Sequence, residues 1–150
     1  MHSLHRTILP CVAVLMLSTS DTAVAGEYGT AEEARAMLDK VVAAMEADPA
    51  KALAIFTSGE GGFRDRDLYP YCVGPDGKFS AHPTLVGTDA IGLVDKAGQP
   101  IGQKIMTVSK SGEVSEVEYV WNRPAETTPT NKVAYATKIG EQTCAVGYYK

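Results

Sequence analysis

The feature that most constrains this chain is a turn. Pro75-Asp76-Gly77 interrupts the run Tyr69-Pro-Tyr-Cys-Val-Gly-Pro-Asp-Gly-Lys-Phe-Ser-Ala-His-Pro83. Proline presets the first corner, and glycine accepts the left-handed conformation that follows a type I turn. The predicted product is a three-residue hairpin loop with a glycine bulge. In that register Gly74 faces Lys78, Val73 faces Phe79, Cys72 faces Ser80 and Tyr71 faces Ala81. One face then carries Tyr69, Tyr71, Val73, Phe79 and Ala81, and the other carries Pro70, Cys72, Lys78, Ser80 and His82. A two-residue loop would mix the two classes, so the pattern selects the bulged turn.

The N-terminus sets the compartment. Arg6, with His2 and His5, makes a basic end. Ile8 to Leu17 is almost wholly apolar, and Ala23-Val24-Ala25 supplies a small-x-small cleavage site before Gly26. This is the layout of a signal peptide. Its apolar core, interrupted by Pro10, is far shorter than the roughly 20 residues that span a bilayer. Without Cys after the cleavage site, a lipoprotein is excluded. Cleavage leaves residues 26–150, one domain able to bury a single core, and the expected location is the periplasm or the exterior. The full chain has a formal net charge of −4, and the segment removes one ion of each sign, Arg6 and Asp21. A mildly acidic domain lacks the basic face that nucleic-acid binding calls for. No second apolar run reaches spanning length, so the mature chain is not expected to cross a membrane.

Cys11 leaves with the signal peptide, so Cys72 and Cys144 remain. In an oxidising compartment two cysteines favour one disulfide; the alternative is two separate buried thiols.

Taken in order, Thr30-Ala-Glu-Glu33 is a capping box. The helix it opens keeps Ala34, Met37, Leu38, Val41 and Met45 on one face. Asp48-Pro49 caps and starts a second, shorter helix that ends at Ser58-Gly59. Arg64 to Asp67 reads as a solvated loop leading to the hairpin. Residues 82–89 read as irregular, leading out of the sheet. Asp95 to Gly98 is a turn, and Pro100 starts a third helix, with Ile101, Ile105 and Met106 inside and Gly112 at its end. Val117, Tyr119 and Trp121 alternate with Glu116, Glu118 and Asn122 in a strand with one buried face. A polar loop, Arg123 to Asn131, precedes a strand from Lys132 to Ile139, and the last strand runs from Thr143 to Tyr149. Hairpin-linked strands with helices kept apart from them indicate an α+β domain on an antiparallel sheet of five strands.

Asp67-Leu-Tyr-Pro-Tyr71, then Gly74-Pro-Asp-Gly-Lys-Phe-Ser-Ala-His-Pro83, then Leu85-Val-Gly87, resembles the first hairpin of a single Cache domain. Asp95 to Gly98, Tyr119-Val-Trp121 with Pro124, Lys132-Val-Ala-Tyr135 and Gly147-Tyr-Tyr149 follow in the matching order. The resemblance implies a PAS-like sheet with strand order 2-1-5-4-3, a long N-terminal helix packed on it, and extracytoplasmic sensing of small molecules, often carboxylates. In that order the first and last strands are neighbours, so Cys72 and Cys144 can meet across them. The chain is read as a stand-alone secreted form of such a domain.

An anionic ligand needs a cation and hydroxyl donors converging in a partly apolar pocket. The candidate ligand-binding residues are Tyr71, His82, Tyr119, Trp121, Arg123, Lys132 and Tyr135, with Arg123 or Lys132 supplying the charge; Lys138 also brackets the sheet and reads equally as a solvated position. The competing use of the tyrosines and Trp121 is packing. Cys72, Cys144 and His82 form the alternative reading, a small redox or metal-handling site, because Cys and His ligate zinc and copper. No GxGxxG, P-loop, HExxH or GxSxG is present, so the reading is a non-enzymatic binding protein without cofactor. Its expected partners are a small organic acid and a membrane receptor.

Overall fold

The computed structural model describes residues 26–150. The signal peptide expected over residues 1–25 lies outside the described residues.

The two N-terminal helices form where their caps are written. Helix α1 (Ala31–Ala47) opens on Thr30, whose hydroxyl accepts from the Glu33 amide while the Glu33 carboxylate accepts from the Thr30 amide. Helix α2 (Pro49–Ser58) opens on Asp48, with proline in its first turn, and closes on Gly59 in the left-handed conformation. Ala34, Met37, Leu38, Val41 and Met45 of α1 are all buried. Each large apolar side chain among them contributes about 1.5–3 kcal/mol by leaving water.

The sheet comprises β1 (Pro70–Val73), β2 (Phe79–Ala81), β3 (Ser115–Asn122), β4 (Pro129–Ile139) and β5 (Gln142–Tyr149). Its order is β2-β1-β5-β4-β3, the order the resemblance implies, and every pairing is antiparallel. Helices α1 and α2 cover one face, packing on Cys72, Ala81, Cys144 and Val146. Helix α3 (Ile101–Val108) and the segment 83–100 cover the other, packing on Tyr69, Tyr71, Val73, Phe79, Val117 and Tyr119. Cys72 lies directly opposite Cys144 in the β1–β5 pairing, and the two sulfurs are bonded.

The structure corrects the hairpin register. The turn forms as expected, with Gly77 at φ 77° and Val73 opposite Phe79. One step further, however, Cys72 pairs with Ala81 rather than with Ser80. Ser80 is an extra residue on β2, a bulge, and its hydroxyl donates to Gln142 Oε1 on β5. An inserted residue reverses every side chain beyond it. Ala81 therefore joins the helix face, and His82 crosses to the tyrosine face.

Three boundaries also differ. Asp67 is not solvated: it is 5% exposed and accepts from the Gly29 amide. Helix α3 stops at Val108, where the Ser109 hydroxyl takes the Ile105 carbonyl, before Gly112 is reached. Strand β4 begins at Pro129, inside the expected loop, because its first residues pair with Trp121 and Asn122. Among the described residues no helix is long and apolar enough to cross a membrane.

Candidate ligand-binding site

Four strands deliver polar and aromatic groups to one face of the sheet. The approach to β1 brings Tyr69 and the strand itself Tyr71, while β3 brings Tyr119, β4 Lys132 and β5 Tyr149. Lys132 is fully buried. Its aliphatic stem lies against Gly147 on the neighbouring strand, where an added Cβ would sit 2.5 Å from Lys132 Cε. Its ammonium donates to Tyr69 Oη at 2.9 Å and lies 4.1 Å from the Tyr69 ring centroid, 4.7 Å from Tyr149 and 5.9 Å from both Tyr71 and Tyr119. No described carboxylate comes within 4.0 Å of it. Ring faces are thus its main electrostatic partners.

The hydroxyls around this cation are themselves organised. Tyr71 Oη and Tyr119 Oη are 3.2 Å apart, and Tyr149 donates to the Asn122 carbonyl at 2.7 Å. Burial pushes Tyr71 and Tyr119 well above the ordinary phenol range. Burial acts the same way on Tyr69, but the Lys132 charge and hydrogen bond outweigh it and lower its pKa. The cluster therefore sets one buried cation beside Tyr69, with the un-ionised phenols of Tyr71 and Tyr119 next to them.

His82 closes the other side. Its ring packs against Phe79 at 5.0 Å and Tyr69 at 5.5 Å. Nδ1 accepts from the amides of Thr84 and Leu85, at 3.0 and 3.1 Å. An accepting Nδ1 places the proton of the neutral ring on Nε2. Burial, then the charges of Lys132 and Arg64, lower its pKa to about 4. At neutral pH it is an uncharged N–H donor.

Two hollows meet here. An inner cavity of about 30 Å³ is bounded by Tyr69, Tyr71, His82, Tyr119 and Trp121 at its polar side and by Val73, Phe79, Leu85, Leu93 and Ile105 elsewhere. An outer cleft of about 340 Å³ shares Tyr69, His82 and Trp121 with it and adds Arg64, Arg66, Asn122 and Pro124.

The family model described as Single Cache domain 2 matches residues 12–148. The chain belongs to this family. Its fold is shared by a methyl-accepting chemotaxis protein from Vibrio parahaemolyticus RIMD 2210633, at TM-score 0.64 and 19% identity over 79% of this chain and 86% of that one. A Cache chemosensory domain described for carboxylic acid recognition aligns at TM-score 0.59 and 21% identity, covering 79% and 86%. The periplasmic sensor domain of a chemotaxis protein aligns equally well, covering 79% and 88%. No curated protein matches the chain.

In this Cache domain, Tyr71, His82, Tyr119 and Trp121 line the inner cavity, and Lys132 sits behind Tyr69. Arg123 stands apart from that set. It is 3.2 Å from Asp67, and its guanidinium lies over the rings of Tyr28 at 4.1 Å and Tyr149 at 5.2 Å. Tyr135 is on the opposite face, stacked on Tyr148 under α1 at 5.9 Å; alternation along β4 separates it from Lys132. Lys138 is exposed. Cys72 and Cys144 are bonded to each other on the helix face, with His82 across the sheet, so the three do not form one redox or metal site. The sequence reading passed over Tyr69 and Tyr149. Tyr69 was legible, being two residues from Tyr71 on the same face. Tyr149 was not, since only the β4–β5 register sets it opposite Lys132.

Proposed function

We propose that this Cache domain is a non-catalytic, extracytoplasmic sensor that binds a short-chain monocarboxylate in the inner cavity. The observation that carries the reading is Lys132. A buried ammonium without a carboxylate is costly. Lys132 makes one hydrogen bond, to Tyr69, where an ammonium offers three. A ligand carboxylate at the Tyr69 end supplies the missing charge, with the Tyr71 and Tyr119 hydroxyls and His82 Nε2–H as further donors. Its hydrocarbon end faces Val73, Leu93 and Ile105. The carboxylic acid recognition described for one related structure supports the class.

Size limits the ligand. One water needs roughly 10–15 Å³ of such space, so about 30 Å³ holds two or three waters and favours the shortest acids. The signal peptide over residues 1–25, the mature domain 26–150 and periplasmic or secreted placement belong to the same proposal. So does a membrane receptor as the partner that reads the ligand-bound state.

The test is calorimetry and thermal shift with acetate, propionate, butyrate and octanoate on the domain 26–150. Short acids stabilise it, as ligands of the native state must, octanoate does not, and Lys132→Met abolishes the effect. An unchanged response in Lys132→Met, or no response to any short acid, overturns the assignment.

A further inference from the structure

The outer cleft has features that a passage to the inner cavity does not require. We infer that it is a second binding site, which takes an aromatic carboxylate between Arg64 and the ring of Trp121.

Charge is the first consideration. Arg64 and Arg66 both line the cleft, and among the described residues no acidic one does. Arg66 is already neutralised, pairing with Glu33 at 2.7 Å and Asp65 at 2.9 Å and donating to the carbonyls of Gly26 and Tyr28. Arg64 forms no ion pair with a described residue. It makes one side-chain hydrogen bond, to the Thr57 carbonyl at 3.0 Å, out of the five a guanidinium offers. Its position is built. Gly59 turns α2 away at φ 79°, and a Cβ there would stand 2.8 Å from Arg64 Cβ and 3.0 Å from Nε. The guanidinium is thus laid over the helix end, exposed and with its remaining donors turned to solvent, and such a planar fork matches a carboxylate.

Shape and walls point to a ring. A cavity of about 150 Å³ holds benzene, and this cleft measures about 340 Å³, whereas the inner cavity is too small for any ring. Trp121, Tyr69 and His82 provide aromatic walls, which favour edge and stacked contacts with another ring. The rims are held under backbone strain. Arg66 at φ 55° and Ala125 at φ 62° are the two non-glycine residues with positive φ among the described residues, and both line the cleft. Such strain persists where surrounding structure enforces it, and it clusters at ligand sites.

The two sites rest on different charges, so their ligands can be separated. Trp121 is the only tryptophan of the chain; its ring borders both hollows, so its fluorescence reports occupancy and the Arg64 and Lys132 variants assign it to one of them. Benzoate titrated into the domain 26–150 is expected to change that fluorescence saturably. Arg64→Ala weakens benzoate at least tenfold, Arg64→Lys weakens it less, and neither alters propionate binding by calorimetry. Lys132→Met leaves benzoate in place. Benzoate that does not bind, that is indifferent to Arg64→Ala, or that is lost in Lys132→Met or displaced competitively by propionate overturns the second site. If benzoate behaves as expected while no short acid binds, the outer site stands and the inner reading alone fails.

Discussion

Lys132 Nζ donates to Tyr69 Oη at 2.9 Å, across the fully buried space between β4 and the approach to β1. The bond joins the only cation inside the described core to a phenol that borders both the inner cavity and the outer cleft. No described carboxylate lies within 4.0 Å of this ammonium.

That ion has an energetic consequence. Burying a charge without an ionic partner is costly, and an apolar residue of similar length removes that cost. Lys132→Met is therefore expected to raise the urea midpoint of the ligand-free domain while abolishing its response to propionate. A variant that loses stability instead would show that the Tyr69 hydrogen bond and the ring contacts outweigh the cost of burying the charge.

Acid should destabilise the domain through His82. Its pKa is about 4 in the folded state against about 6.5 for a free imidazole, so between those values the unfolded chain binds more protons. Stability from the neutral ring is complete above pH 6.5 and is lost as pH falls toward 4, a change on the order of 3 kcal/mol. Protonation also removes Nδ1 as acceptor for Thr84 and Leu85, which tie down the start of the segment covering the cavity. His82→Gln should flatten the dependence of the denaturation midpoint between pH 4 and 6.5; an unaltered slope would assign it to other groups.

The Cys72–Cys144 bridge closes a separation of 72 residues and should contribute roughly 3–4 kcal/mol by restricting the unfolded chain. Both cysteines are wholly buried beneath the N-terminal helices. Reductant should leave the folded protein oxidised and act only once denaturant opens it. Cys72→Ala with Cys144→Ala should lower the urea midpoint accordingly; rapid reduction of the native state would contradict the burial.

Asp67 and Arg123 form the ion pair that anchors the start of α1, since Asp67 also holds the Gly29 amide. Removing one partner of a pair this buried costs on the order of 3 kcal/mol. Asp67→Ala should approach that figure, and Asp67→Ala with Arg123→Met should recover part of it. A strictly additive double-mutant cycle in chemical denaturation would mean that the pair is not coupled.

Gly102 sets how closely α3 approaches the cavity segment, because a Cβ there would collide with the Ala90 carbonyl. Gly102→Ala should destabilise by about 1–3 kcal/mol and weaken propionate, as Ala90 and Leu93 withdraw from the inner cavity. Unchanged propionate affinity in calorimetry would separate that segment from binding.

Local chemistry was decisive wherever the cause lies within a few residues. Thr30 and Glu33 cap α1, Asp48 and Pro49 start α2, Pro75 to Gly77 turn the hairpin, and the alternation from Val117 to Trp121 presents one face. These follow from backbone geometry and short-range hydrogen bonds, which the sequence states outright. The ordered fragments that resemble a Cache domain extended this to the strand order, and with it to Cys72 meeting Cys144. Tertiary structure alone decided which residues share the candidate site. Parity carries a side chain's direction along a strand only while the register holds, and the extra residue Ser80, bonded to distant Gln142, moved His82 from the disulfide's face to the tyrosines. Tyr149 came beside Lys132 only through the pairing of β4 with β5, and Tyr135 went under α1 by the same alternation. Asp67, read as part of a solvated loop, was buried because Arg123 and Gly29 arrive from remote parts of the chain. Which charges end up inside is set by what packs over them, and no window of sequence contains that.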